Sequence, residues 1–297
     1  MLRLLFSWFA FLSFAFCVGQ DFMGMAVYET KTSTSDFSKS ISSNSQITPD
    51  VQKRIEERMR KMFEKSFTLY FDKTQSIYEE EEKLEAPGND QQRGGMRMMS
   101  SMIGGDGRYY KNIKSKTYLI EREMMGKEFL IKDALPEYKW NMTAETKQIG
   151  GYTCFKATAV IPAPQSDFRN FKPKAADEQN KSETKERPRM TNFFNQGELP
   201  KEVEITAWYT PEIPVSHGPE NYYGLPGLML EVSAGKTVIL CSKVVLNPKE
   251  RKEIKVPSKG QEVSQAKYDE IVVKKMEEMQ QMFQQGGGGN QGRRNGR

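Results

Sequence analysis

The chain has 297 residues (34.1 kDa), 44 basic against 39 acidic side chains, a formal charge of +5 and a mean hydropathy of −0.69. A chain this polar is no multi-span membrane protein, yet 37% hydrophobic residues suffice for a sizeable core. Its single histidine excludes multi-His metal cages and histidine relays.

Residues 1–19 carry one positive charge, Arg3, then an uncharged apolar run from Leu4 to Val18 and a small residue, Gly19, before Gln20. That pattern predicts a secretory signal peptide cleaved between Gly19 and Gln20, because the run is shorter than the roughly 20 residues a spanning helix needs. Phe16 ahead of Cys17 argues against a lipid-modified cysteine. Removal of Cys17 leaves Cys154 and Cys241, compatible with one disulfide or with two buried thiols.

Met25 to Tyr28 reads as the first strand of a β-rich domain over 20–257. Thr48-Pro49-Asp50 opens a helix, with Val51, Ile55, Met59, Met62 and Phe63 at helical spacing. Phe67, Leu69 and Phe71 alternate as in a strand. Residues 79–107 begin with four consecutive glutamates and hold six glycines, which predicts a long mobile loop. Within it, Met96, Met98, Met99 and Met102 cluster among polar residues; soft thioethers suit Cu(I), so this loop is a candidate metal site. The bland alternative is Met packing on the sheet or a partner.

Residues 108–142 read as successive antiparallel strands turning at Lys114-Ser115 and Gly126-Lys127. Further strands fit 152–161, 201–210, 228–234 and 236–246, with a hairpin turn at Ala234-Gly235. Between them, residues 163–200 hold only nine apolar residues among 38, so a disordered insertion is expected there. A C-terminal amphipathic helix is expected over 258–285, with Tyr268, Ile271, Val272, Met276, Met279 and Phe283 on one face. A flexible Gly/Arg tail follows over 286–297. The economical arrangement is mainly β with flanking helices (α+β): one curved antiparallel sheet, of half-barrel type.

The segment from Trp208 to Val232 is the most distinctive. Pro211, Pro214, Pro219 and Pro226 stiffen it, and Leu225-Pro226-Gly227-Leu228 fits a type II turn with positive φ at Gly227. The chain is expected to leave one strand through a rigid arch and re-enter the sheet at Gly227. His217 lies in this arch beside Ser216, with Glu212 and Glu220 nearby. It could serve as a general base, but a loop histidine facing solvent or bonded to the backbone is the simpler expectation. Ser216 and His217 make a poor nucleophile pair, since neighbours in extended chain point apart. No residue spacing calls for a cofactor, and no catalytic residue is assigned.

Gly224-Leu225-Pro226-Gly227-Leu228-Met229 resembles the signature of the GLPGLI family, exported proteins of Bacteroidetes with no assigned function. Trp208, Pro211, Pro214, Gly218, Pro219 and the upstream Gly151 to Ala157 block carry the same resemblance, over roughly 140–235. Met229 in place of isoleucine and the long insertion are departures. The resemblance implies an exported, non-catalytic domain, and its strand meander is similar to half-barrel carriers of lipids and lipoproteins. The expected role is a periplasmic or cell-envelope binding or carrier module, whose partner is envelope lipid or an outer-membrane or periplasmic protein. Copper handling through the methionine loop is the alternative, and an enzyme using His217 the third. The arginine-glycine tail is not read as a nucleic-acid site, because an exported protein does not meet that partner.

Overall fold

A computed structural model describes residues 22–35, 48–81, 107–170, 172–173, 197–198 and 200–286. The protein is mostly β: one open twelve-stranded mixed sheet and two helices, with 50% strand and 17% helix. The strands are β1 (Gly24–Thr32), β2 (Glu64–Phe71), β3 (Gln75–Glu80), β4 (Arg108–Asn112), β5 (Thr117–Met124), β6 (Lys127–Ala134), β7 (Asn141–Ile149) and β8 (Tyr152–Pro162). After a small pair, β9 (Lys172–Pro173) and β10 (Gly197–Glu198), come β11 (Glu202–Thr210), β12 (Leu228–Ala234), β13 (Thr237–Leu246) and β14 (Gln261–Val263). The helices are α1 (Pro49–Phe63) and α2 (Gln265–Gly286).

The strand order is β14-β6-β5-β4-β3-β2-β1-β13-β12-β11-β8-β7, antiparallel throughout except for β14 on β6. Tight turns make the meander: Met125 and Gly126 both take positive φ between β5 and β6, and Gly150 and Gly151 do so between β7 and β8. Those are the backbone signs a two-residue hairpin demands.

The connection from β6 to β7 shows the sheet's shape. The two strands lie ten spacings apart in the sheet, about 48 Å if it were flat. Yet residues 135–140 join them, and so short a strap reaches about 25 Å at most. The sheet must therefore curl until its two ends approach one another, without closing.

Alternation fills the inside. Tyr28, Phe67, Leu69, Phe71, Tyr78, Tyr109, Tyr118 and Ile120 are buried in one cluster with the arch residues Ile213, Val215, Tyr222 and Leu225. Tyr268 and Val272 of α2 join the same cluster, and Phe129 meets Tyr268 edge to face at 5.5 Å between ring centres. The opposite parity, Ile77, Tyr110, Leu119 and Leu130, forms a smaller outer cluster covered by Ile254.

Several sequence boundaries shift. Glu79 and Glu80 complete β3 instead of opening a loop, because Tyr78 needs the inner face there and each strand residue alternates. Residues 82–106 of that expected loop, the methionine cluster included, lie outside the described residues, as do residues 1–21 and the tail after 286. The helix expected from 258 begins only at Gln265, because residues 261–263 pair with β6 first. Residues 163–170 are ordered chain with Ser166 and Asn170 buried, where an insertion had been expected. Asn170 Oδ1 accepts the Lys236 N–H at the β12–β13 turn, which fixes it.

Candidate functional site

The arch, residues 211–227, is a long irregular segment between β11 and β12, and it lies against the inner side of the sheet. Its backbone polar groups have no ladder to join, so they must find partners one by one. Tyr28 Oη donates to Met229 O at 2.7 Å, where the arch rejoins the sheet. Trp140 Nε1 donates to Tyr223 O at 2.9 Å from the strap. The Ser216 hydroxyl accepts the Gly224 N–H at 3.0 Å.

The deepest contact is a lysine. Lys111 of β4 is 1% exposed, and its Nζ donates to Gly218 O at 2.5 Å and Glu220 O at 2.9 Å. Burial without a carboxylate at bonding distance holds its pKa down to about 7, against a partial upward pull from Glu220. Glu220 itself is held at φ 46° and turned away from Lys111 toward Arg169. Arg169 spans two acids: its NH1 and NH2 reach Glu220 at 2.6 and 3.2 Å, and its Nε and NH2 reach Asp167 at 3.0 and 2.7 Å. Burial alone would raise the Asp167 pKa, but the charge and hydrogen bonds of Arg169 outweigh it and lower the pKa. Arg169 is raised in turn, its own desolvation being overcome by the two carboxylates. Arg122 of β5 borders the group, donating to Tyr109 Oη at 2.7 Å.

His217 is fully buried beside this cluster, so the expectation of a solvent-facing ring is corrected; its bond is to backbone. Nε2 lies 3.0 Å from Asp72 O, which only accepts, so Nε2 carries the proton. Nδ1 is buried with no hydrogen-bond partner, and the ring centre is 6.2 Å from that of Phe71. Desolvation first, then the Lys111 charge, hold its pKa down to about 3. The acids that flank it in sequence do not serve it: Glu212 accepts the Thr153 N–H at 2.8 Å, and Glu220 pairs with Arg169.

Other expected residues divide plainly. Pro219 is buried, while Pro211, Pro214 and Pro226 face solvent. Trp208 is half-buried on β11 with Lys147 Nζ 4.3 Å above its ring. Gly218 lies under Met229, whose Sδ would be 2.6 Å from an added Cβ. Gly224 takes φ 99°, with the Trp140 indole above it. Gly227 is not at positive φ, so the type II turn is corrected; its reason is contact, since a Cβ there would sit 2.2 Å from Thr210 O. Cys154 and Cys241 are separate buried thiols. Desolvation pushes them to about 11 and about 12. Among the described residues no three His, Cys, Asp or Glu side chains group to hold a metal ion, and no helix is long and apolar enough to cross a membrane. The methionine cluster at 96–102 falls outside those residues.

Sequence reasoning missed Lys111, Asp167 and Arg169. Strand parity was the available signal for Lys111, which shares the inward face of β4 with Tyr109. Arg169 gave none, since its partner Glu220 is 51 residues away.

Fold and site together define a class: an open, curled β-sheet protein with an irregular arch clasped to its inner face by buried charges. Residues 140–231, from the end of the strap through the arch into β12, match the model of a family described as "Protein of unknown function (Porph_ging)". This is nearly the stretch that carries the GLPGLI resemblance, and the two are compatible. Comparison with curated proteins yields no match. Among solved structures, two of PNGF-II, in the C2 and P21 space groups, are similar at a TM-score of 0.42 and 12% identity. They cover 85% and 86% of this chain but 33% and 34% of their own, so the chain spans about a third of their length.

Proposed function

We propose that the protein is an exported, non-catalytic binding or carrier module of the cell envelope, taking an apolar ligand or a partner segment. One observation carries the non-catalytic part: the side chains best suited to chemistry are consumed in holding the arch. His217 Nε2 is bonded to a backbone carbonyl, Lys111 to two more, and Glu220 and Asp167 to one arginine. A general base needs reach to a substrate proton, and a fully buried ring has none in this conformation. The binding part rests on the curl of the sheet, whose tyrosine-rich inner face is filled here by the arch and α2, so a ligand or partner segment would take the place of the arch. Export rests on the residue pattern of 1–19.

Native mass spectrometry of the protein purified from its own envelope tests the reading. A bound acyl-chain molecule or peptide is expected, on a chain that begins at Gln20. A His217→Ala protein with unchanged melting temperature but no cellular activity would overturn it in favour of catalysis.

A further inference from the structure

The arch is tied to the sheet through a histidine that has no room for a second proton. Its ring lies between Phe71, the carbonyl of Asp72 and the Lys111 ammonium, with Nδ1 buried and unbonded. Protonation of Nδ1 would add a positive charge without an acceptor, next to a lysine that is already a cation below neutral pH. The charged groups around it offer no relief. Glu220 is engaged by Arg169, and so is Asp167. The Asp72 carboxylate accepts the Thr74 and Gln75 N–H groups within its own turn, which hold its pKa low against desolvation. Met229 N–H bonds to His217 O, so the histidine also sits at the hinge where the arch becomes β12.

We infer that the arch is an acid-released latch: protonation of His217 drives residues 211–227 off the inner face of the sheet while the strands stay paired. An open arch exposes the ring to water, where it takes a proton in the ordinary range near pH 6.5. The closed arch refuses that proton until about pH 3. Open and closed states therefore bind different numbers of protons between these values, and opening grows about tenfold for each unit the pH falls below 6.5. Between pH 6.5 and 4 Lys111 is already charged, and Asp72 and Asp167 hold their protons off to lower pH still. Release uncovers Tyr28, Tyr78 and Tyr109, the phenol-lined floor beneath the arch. The inference stands whether or not the protein is a carrier.

Hydrogen exchange of the full mature chain tests it, corrected for the intrinsic pH dependence of exchange. The Leu228 and Met229 amides, bonded to Ile213 O and His217 O, should open on the order of 100-fold more at pH 4.5 than at pH 7. Amides of β1 and β2 should not follow. His217→Gln should flatten the response. A flat wild-type arch, an unchanged slope in His217→Gln, or strands that open together with the arch would each overturn the latch. Should the variant fail to fold, the wild-type protein still decides, because its sole histidine gives one unambiguous ring signal in NMR. That ring should titrate in step with arch opening. Titration near pH 6.5 with the arch amides still protected would end the proposal.

Discussion

The arch and the meander β2 to β6 lie against one another but are held by different means. In the meander, neighbouring strands share ladder bonds and each inward residue adds its increment of burial, as with Phe67, Leu69 and Phe71. In the arch, Ile213, Val215, Tyr222 and Leu225 are buried too. The chain between them, however, is held by a few buried polar contacts reaching out to β4, the strap and the segment 163–170, with Tyr28 of β1 bonded to Met229 where the arch ends. A distributed structure loses a little with each substitution. A concentrated one loses much at a handful of positions, because a buried charge left without its partner is costly.

The sharpest test of that contrast is Arg169→Met, which strands Glu220 and Asp167 in the interior. It should destabilise by about 3–5 kcal/mol in urea unfolding, and deletion of 165–199 should do at least as much. Loss of under 1 kcal/mol would erase the distinction between the two regions. Gly227→Val comes next: its Cβ meets the Thr210 backbone, which cannot swing aside, so a cost of about 3 kcal/mol is expected, measured the same way.

Lys111 gives a pH signature opposite to the common one. Its folded pKa, about 7, lies below the 10.5 of the unfolded chain, so the unfolded state binds more protons between them. Stability should rise by a few kcal/mol as pH rises from about 7 to 9.5, before tyrosine ionisation in the unfolded chain reverses it. Lys111→Met should abolish the rise; a rise that persists would assign it elsewhere. Tyr28→Phe removes one hydrogen bond to Met229 O and should cost about 1 kcal/mol. Leu240→Ser, on the outer face at 41% exposure, should stay within about 0.5 kcal/mol by thermal melting.

What was legible follows the same division. The strands whose residues alternate, β1, β2, β5, β8 and β11 to β13, could be read because burial on one face writes a period of two into the chain. β3 was hidden by Glu79 and Glu80, which belong to its outer end, and β7 by its place as an exposed edge strand rich in polar residues. β14 is three residues long and takes its strand character from β6. In the arch, prolines and glycines announced a fixed path. The clasp could not be read, since His217 meets Asp72 across 145 positions and Lys111 meets Gly218 across 107. No local pattern encodes contacts at such separations.

The pairing of β1 with β13 has a consequence for how the chain assembles. Gly24 of the first strand lies opposite Leu246 near the other end of the chain, and β1 sits in the middle of the sheet order. The meander β1 to β6 can form from neighbours as the chain emerges, but its open flank on β1 stays uncovered until residue 246 exists. Closing so large a loop sets a slow, late step, and until then β1 offers an unpaired edge to any other strand it meets. A chain cut short before β13 should therefore aggregate through its first strand rather than fold in part.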